Sequence, residues 1–168
     1  RGVLDRAVQV LRLQSRPEEL ARALSHLAGA QSELGELAKA SLNFQEALEF
    51  AVNRADAFAT AHTREGLGWV AWFEGRLQAA LRLWQQAGAA YRELSQTIRL
   101  GIVLGCEALA LSTAGQHGDA ELKLLESLEL FDSPALCHRK AFSLEKLGCL
   151  YLRWDPSLAR PQFHSALA

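Results

Sequence analysis

Apolar residues recur every three to four positions along the whole chain, which is the pattern of amphipathic helices. In the first segment, Leu4, Ala7 and Leu11 share one helical face, and comparable faces follow to the end of the sequence. Nowhere do β-branched and polar residues alternate over five or six positions, so no strand is predicted. The pattern therefore predicts an all-α fold.

Glycine, proline and capping residues divide this pattern into helices. Turns are predicted at Gly35, Gly75 and Gly115, and Asp132-Ser133-Pro134 is typical of a helix start. Ser95 and Thr97 are expected to cap the helix that follows them, and Asp155 to open the last helix. The predicted helix pairs are 17–53, 56–94, 97–131 and 134–168, preceded by one helix over residues 1–14.

The second helix of each pair carries a small, a large and a small residue at positions i, i+4 and i+7. The interval between the first residues of successive sets is 40, 40 and 39 residues. Small residues let two helices approach closely, and the large residue fills the space between them. A fixed period of this length predicts a helical solenoid. The four sets are Ala40, Phe44, Ala47; Ala80, Trp84, Ala87; Ala120, Leu124, Ser127; and Ala159, Phe163, Ala166.

These residues resemble the tetratricopeptide repeat (TPR). Leu67-Gly68, the turn at Gly75 and the set around Trp84 match that pattern, and Leu147-Gly148 begins a second match, whereas Glu107 stands where the repeat has leucine. The resemblance implies one array over residues 1–168, a right-handed α-α superhelix of antiparallel helix pairs. The long period is similar to that of sensor arrays in large bacterial transcription regulators. It implies a scaffold for protein–protein interaction and signalling that binds a protein or peptide segment, or a small effector.

In this family the first helix of each pair lines a concave groove. Trp69 and Trp72 lie three residues apart and share a face there; they are either groove anchors or packing residues between repeats, whereas Trp84 is predicted to be core. The same register places Ile102, Gly105 and Phe142 on first helices. The groove side chains that the resemblance implies are Arg22, His26, Glu33, His62, Glu65, Trp69, Trp72, Phe73, Glu145, Lys146 and Arg153.

Composition narrows the partner and the compartment. With 18 basic and 19 acidic residues the net charge is −1, so direct contact with nucleic acid is not predicted. No apolar run is long enough to span a bilayer, so no membrane association is predicted. Three cysteines without a Cys-x-x-Cys pair favour a reduced, cytoplasmic setting. The preference for Arg over Lys favours a bacterial source, and a start at Arg1 suggests a piece of a longer chain.

Catalytic and metal-binding patterns are not found in the sequence. The five histidines are scattered, and no His-Glu-x-x-His motif or phosphate-binding glycine loop occurs. The sequence therefore predicts neither an enzyme nor a cofactor or metal site. A different hypothesis is a structural module that self-associates by stacking of end repeats, since the apolar faces of Leu4–Leu11 and Phe163–Leu167 would be uncovered there.

Overall fold

The computed structural model describes residues 2–14, 16–154 and 156–167, and the side chains of these residues apart from those at 17, 160, 163 and 167. The described part is helical and contains no strand, as the sequence predicted. Within that part, no helix combines the length and the hydropathy needed to cross a membrane. The helices are α1 (Gly2–Leu13), α2 (Pro17–Glu33), α3 (Leu37–Asn53), α4 (Ala57–Phe73), α5 (Leu77–Glu93), α6 (Thr97–Thr113), α7 (His117–Leu130), α8 (Cys137–Trp154) and α9 (Pro156–Leu167).

One turn motif recurs every 20 residues between α2 and α7. Residues 35, 55, 75, 95 and 115 all have φ between 53° and 79°, in the left-handed region. At each turn the next N–H bonds back to a carbonyl five residues earlier, as Glu36 does to Gln31 and Gln116 to Leu111. This is the helix C-cap arrangement that satisfies the last carbonyls of a helix. Helices of 17 residues separated by such turns produce the 40-residue period of the helix pairs.

The residues between α5 and α6 do not cap α6 as expected. The N-cap position is Gln96, which makes no side-chain cap bond, and Thr97 is the first residue of α6. Ser95 occupies the left-handed turn position with φ of 55°. Its residue type indicated a cap, but the helix length of 17 residues places it one position too early. By contrast, Asp56 does cap α4, accepting a hydrogen bond from the Ala59 amide at 2.9 Å.

The entry to α8 also differs from the prediction. Pro134–Leu136 form a single 3₁₀ turn, and α8 begins after it at Cys137. Ser133 makes no side-chain cap bond, and the Asp132 carboxylate is bound instead by the Lys140 ammonium at 2.5 Å. That hydrogen bond lowers the pKa of Asp132. The predicted cap at Asp155 and the large residue Phe163 lie outside the described residues and side chains.

The chain divides into two compact units, Arg1–Ala90 and Tyr91–Ala168. In the first unit, α1 packs on α2, and α2 packs on α3 and α4. Its core contains Leu24 and Ala47 in one cluster, and Ala28, Phe44 and Val70 in another. The small, large and small residues of α3 are buried, as the repeat pattern predicted.

In the second unit, α6 packs on α7 and α8, and α8 packs on α9. Leu104, Leu124 and Leu147 are buried there. The Tyr151 hydroxyl donates a hydrogen bond to Glu121. Burial and this bond together raise the pKa of Tyr151 to about 12.

Candidate functional site

An aromatic cluster joins α4 and α5 in the first unit. The Trp69 ring lies edge-on to Trp84 with the ring centroids 5.2 Å apart, and Trp72 lies tilted against Trp84 at 6.1 Å. On its other side, Trp69 stacks with Phe73 at 5.9 Å. Aromatic pairs in these arrangements are each worth about 1 kcal/mol beyond the area they bury. The cluster therefore holds its outer members in fixed positions.

Trp84 anchors this cluster and is fully buried, as predicted for the large position of the repeat. Its indole N–H donates a hydrogen bond to the Glu65 carbonyl at 3.2 Å. The ring lies against Gly68, where a Cβ would overlap the indole. The absence of a side chain at Gly68 is thus what allows the tryptophan to enter the hairpin.

The sequence left open whether Trp69 and Trp72 are groove anchors or packing residues between repeats. Both Trp69 and Trp72 are half-buried and both contact Trp84. They pack between the two helices of one pair and still reach the surface. Phe73 is 54% exposed and is the most accessible aromatic ring of the cluster.

His62 and Glu65 lie one turn before the aromatic cluster on α4. Glu65 is only 7% exposed, so it is less accessible than a charged groove contact would be. The His62 Nδ1 and Glu65 Oε2 atoms are 3.9 Å apart, and His62 stacks on Phe58 with the ring centroids 6.2 Å apart. Because three residues make nearly a full turn of an α-helix, residues i and i+3 such as these lie on the same face.

The predicted residues of α2 are all exposed to solvent. His26 and Glu33 lie on its surface. Arg22 lines a cavity of about 380 Å³ together with Glu18, Arg54 and Asp56. The lining of this cavity therefore carries charges of both signs, and two of them, Arg54 and Glu18, form an ion pair.

The remaining predicted residues belong to α8 in the second unit. Glu145 and Arg153 are exposed, and Lys146 is half-buried. The Lys146 ammonium lies 4.7 Å from the centre of the Phe142 ring, a cation–π contact. Of these three residues, Lys146 alone lines the cavity described next.

A cavity of about 330 Å³ lies between α6, α7 and α8, and we refer to it as the α6–α8 cavity. Buried Leu124 and Phe131 belong to its apolar lining, and Phe142 is 56% exposed. The first-helix positions Ile102, Gly105 and Phe142, predicted from the repeat register, meet here. The full lining is Gly101, Ile102, Gly105, Leu124, Phe131, His138, Arg139, Phe142, Ser143 and Lys146.

Two buried hydroxyl groups fix the helices around this cavity. The Ser127 hydroxyl donates to the Gly101 carbonyl at 2.9 Å, and it lies 3.0 Å from the Ser143 hydroxyl. Ser127 stands where the other sets of the repeat have alanine. A buried hydrogen-bond chain of this kind favours one arrangement of the three helices.

Sequence reasoning missed His138, Arg139 and Phe131 as members of the cavity. Phe131 follows α7, and its ring lies where a Cβ of Gly101 would be. The glycine at position 101 of a first helix indicates a close approach by another group, but only the packing of α7 shows that this group is the Phe131 ring. His138 and Arg139 precede the matched part of the repeat in α8.

Glu107 is a buried charge at a position that the repeat gives to leucine. It is 2% exposed, and its carboxylate lies 2.8 Å from the Lys123 ammonium of α7. Burial raises the pKa of Glu107, against the opposing effect of Lys123. This pair is part of the packing between α6 and α7.

Among the described residues, no group of three or more His, Cys, Asp or Glu side chains is placed to hold a metal ion. Cys106 is buried, Cys137 and Cys149 are exposed, and none of the three is part of a disulfide bond in the described part of the chain.

No family model matches the chain, and no curated protein matches its sequence. Solved structures do share its fold. The crystal structure of BtubC (BKLC) from P. vanneervenii matches with a TM-score of 0.85 and 22% identity, over 99% of this chain and 70% of that chain. A candidate kinesin light chain from Podosopora anserina, with nearly identical TPR-like repeats, matches with a TM-score of 0.78 and 15% identity, over 99% and 83%. Identities this low show a shared fold and nothing further.

Proposed function

The chain consists of TPR-like helical repeats, and we propose that it is a non-enzymatic scaffold that binds a segment of another protein on the outer surface of α4. Repeats of this type generally mediate protein–protein interaction, because their stacked helices present a preformed surface. The observation that carries the proposal is the exposed Phe73 ring, stacked on Trp69 and supported through it by buried Trp84.

A supported aromatic ring is well suited to this role. Because Trp69 holds Phe73 on one side, little side-chain freedom remains to be lost when a partner covers the other side. Aromatic residues that bury fully on association are the usual hot spots of interfaces, and their truncation costs more than about 1 kcal/mol. Arg22, His26 and Glu33 on α2, and His62 on α4, would then supply polar contacts around the apolar centre, whereas Glu65 is too deeply buried to do so.

The test uses peptides selected from a random phage-displayed library on the purified chain, with affinities measured by isothermal titration calorimetry. We expect Phe73→Ala to weaken binding at least about tenfold, equivalent to about 1.4 kcal/mol. Leu42→Ala is the matched control, because Leu42 is a 66% exposed apolar residue on α3, a second helix. Selected peptides that bind Phe73→Ala as tightly as the original chain, or that depend on Leu42 instead, would refute the placement on α4.

Phe73 is a better position for this test than Trp72. The Trp72 ring contacts Trp84, so Trp72→Ala would disturb the packing of α5 as well as the surface. Phe73 contacts Trp69 from outside, and its removal leaves the buried indole in place. A change in affinity at Phe73 can therefore be separated from a change in stability.

A narrower form of the proposal makes the scaffold the sensor part of a cytoplasmic bacterial transcription regulator. Its support is the 40-residue period of the repeat, and the resemblance to sensor arrays that this period implies. In that setting the α8 residues Glu145, Lys146 and Arg153 would contact the same partner or effector. The sequence of the full-length protein tests this form, since a DNA-binding helix-turn-helix module must then be present in it.

A second candidate function, self-association, is favoured by the exposed face of α1. The prediction that the face of Leu4 and Leu11 is uncovered is wrong, because both side chains pack against the core of the first unit, whereas Val10 is 48% exposed and Leu13 87% exposed. In the other predicted face, the side chains at 163 and 167 lie outside the described ones. Val10→Lys combined with Leu13→Lys would remove an interface on this face. Sedimentation velocity over a concentration series should then show a monomer for the variant and a larger species for the original chain. A monomer in both would reject this function.

A further inference from the structure

We propose that the α6–α8 cavity is a binding site for a small organic carboxylate with a compact apolar body. This inference goes beyond the binding of a protein segment on α4, because it assigns a separate site in the second unit to a small molecule. Three features carry it: the shape of the cavity, the sign of the charge at its rim, and the glycines that keep it open.

The shape of the cavity fits a small molecule. Its volume of about 330 Å³ lies at the lower end of the range for small-molecule sites. Leu124 and Phe131, both nearly fully buried, supply an apolar wall that is already formed. The buried hydrogen bonds of Ser127 with Gly101 and Ser143 fix the three surrounding helices, so a ligand would not have to order them.

The charged side chains that line the cavity have one sign. Arg139 and Lys146 are basic, His138 lies beside them, and no acidic side chain lines the cavity among the described residues. Within the same part of the chain, neither Arg139 nor Lys146 forms an ion pair, whereas the neighbouring Lys140 is bound to Asp132. A carboxylate at the rim would give these two cations a charge-assisted hydrogen-bond partner. Charge complementarity therefore selects an anionic ligand.

Two glycines of α6 shape the apolar space: Gly101 admits the Phe131 ring that forms part of its wall, and Gly105 leaves room in front of it. The Phe131 ring occupies the place of a side chain at Gly101, and a Cβ at Gly105 would meet no atom within 4 Å. In the first unit, the positions 80 residues earlier are Ala21 and Ser25, and the cavity there is lined by Glu18, Arg22, Arg54 and Asp56. The described cavity at the corresponding place of the first unit thus has charges of both signs, so an anionic apolar ligand should bind it more weakly than it binds the α6–α8 cavity.

The experiment titrates 4-phenylbutyrate into the isotopically labelled chain and follows backbone amide shifts by NMR. We expect shifts at Gly105, Phe142 and Lys146 that saturate with a dissociation constant on the order of 1 mM, as for a ligand of about twelve non-hydrogen atoms. The uncharged 4-phenylbutyramide should bind about tenfold more weakly, because it carries no negative charge and cannot form an ion pair with the two cations. No saturable shift of these amides with the acid, or equal binding of acid and amide, would overturn the proposal.

Two variants test the site itself. Gly105→Ala adds a methyl group to the empty space and is expected to raise helix stability, so a loss of binding by about tenfold cannot come from unfolding. Lys146→Gln should weaken the acid and leave the amide unchanged, and Lys140→Gln is the matched control that should bind like the original chain. Full-strength binding of the acid to both Gly105→Ala and Lys146→Gln would exclude this cavity.

The outcomes separate this site from the protein-binding surface on α4. Phe73→Ala should bind 4-phenylbutyrate unchanged, because Phe73 belongs to the first unit. If an acidic peptide carrying a phenyl side chain shifts the cavity amides and the free acid does not, the cavity is a peptide site and the small-molecule assignment is wrong. Failure of the Phe73 test with success of this titration would reject only the surface on α4.

Discussion

Substitution of Gly68 by alanine should destabilise the protein although alanine is the better helix former. In an unconstrained helix interior, Gly→Ala stabilises by about 1 kcal/mol. At Gly68 the added methyl group would occupy the position of the Trp84 indole. The ring must then move, and its N–H loses the bond to the Glu65 carbonyl.

The magnitude follows from these opposing effects. Overpacking of a well-filled core costs about 2 kcal/mol. A buried donor left without an acceptor costs about 2 kcal/mol more. After subtraction of the helix gain of about 1 kcal/mol, Gly68→Ala should lower the free energy of unfolding by about 3 kcal/mol. For a chain of this size, this corresponds to a Tm lower by roughly 6–12 °C.

Gly29→Ala is the matched control in the same unit. Gly29 also lies inside a helix, and a Cβ there would meet no atom within 4 Å. This variant should be more stable than the original chain by up to about 1 kcal/mol. Both variants replace glycine by alanine. Gly68→Ala should lower the free energy of unfolding and Gly29→Ala should raise it, so the two should differ by about 4 kcal/mol.

The assay is chemical denaturation followed by circular dichroism at 222 nm, with tryptophan fluorescence reporting on the aromatic cluster. A double variant sharpens the test: Trp84→Leu together with Gly68→Ala reproduces the Ala108 and Leu124 combination of the third repeat, both nearly fully buried. It should lose less stability than the sum of the two single variants. A Gly68→Ala variant as stable as Gly29→Ala would refute the reasoning.

Two further predictions concern the turns and the buried charge. Ser95→Gly should stabilise the protein by about 0.5–1 kcal/mol, because removing the steric cost of a side chain in the left-handed conformation outweighs the added entropy of the unfolded chain. The control is Ala114→Gly, at a φ of −77°, which should destabilise the protein. Equal shifts of the melting temperature for the two variants would contradict this prediction. The raised folded-state pKa of Glu107 means that its contribution to stability is greatest below its ordinary pKa and is lost as the pH rises through the folded value. Glu107→Gln should therefore gain stability relative to the original chain as the pH rises above the ordinary pKa of a glutamate, measured by urea titrations, and a pH-independent difference would contradict the raised pKa.

The structure confirms the parts of the fold that depend on local sequence. Helix periodicity depends on side chains three and four residues apart, and the turns at Gly35, Gly75 and Gly115 depend on a residue that accepts positive φ at little cost. The turns at Ala55 and Ser95 were less visible, because their residue types do not indicate the left-handed conformation that the regular 17-residue helices impose on them.

The candidate sites depend on contacts between residues that lie far apart in the sequence. The register of the repeat placed Trp69, Trp72 and Phe73 on a first helix. Only the tertiary structure, in which Trp84 packs against Gly68, shows that Trp69 and Trp72 are half-buried and that Phe73 is exposed.

By itself, therefore, the sequence determined an all-α repeat with a 40-residue period and the small and large residues that join its helices, and it predicts the first helices as the place of binding. The tertiary structure decided which side chains remain accessible, and that Gly101, Phe131 and Lys146 surround one cavity. The physical reason is that helix formation depends on neighbours within one turn, whereas a binding surface depends on which of several suitable faces the packing leaves uncovered.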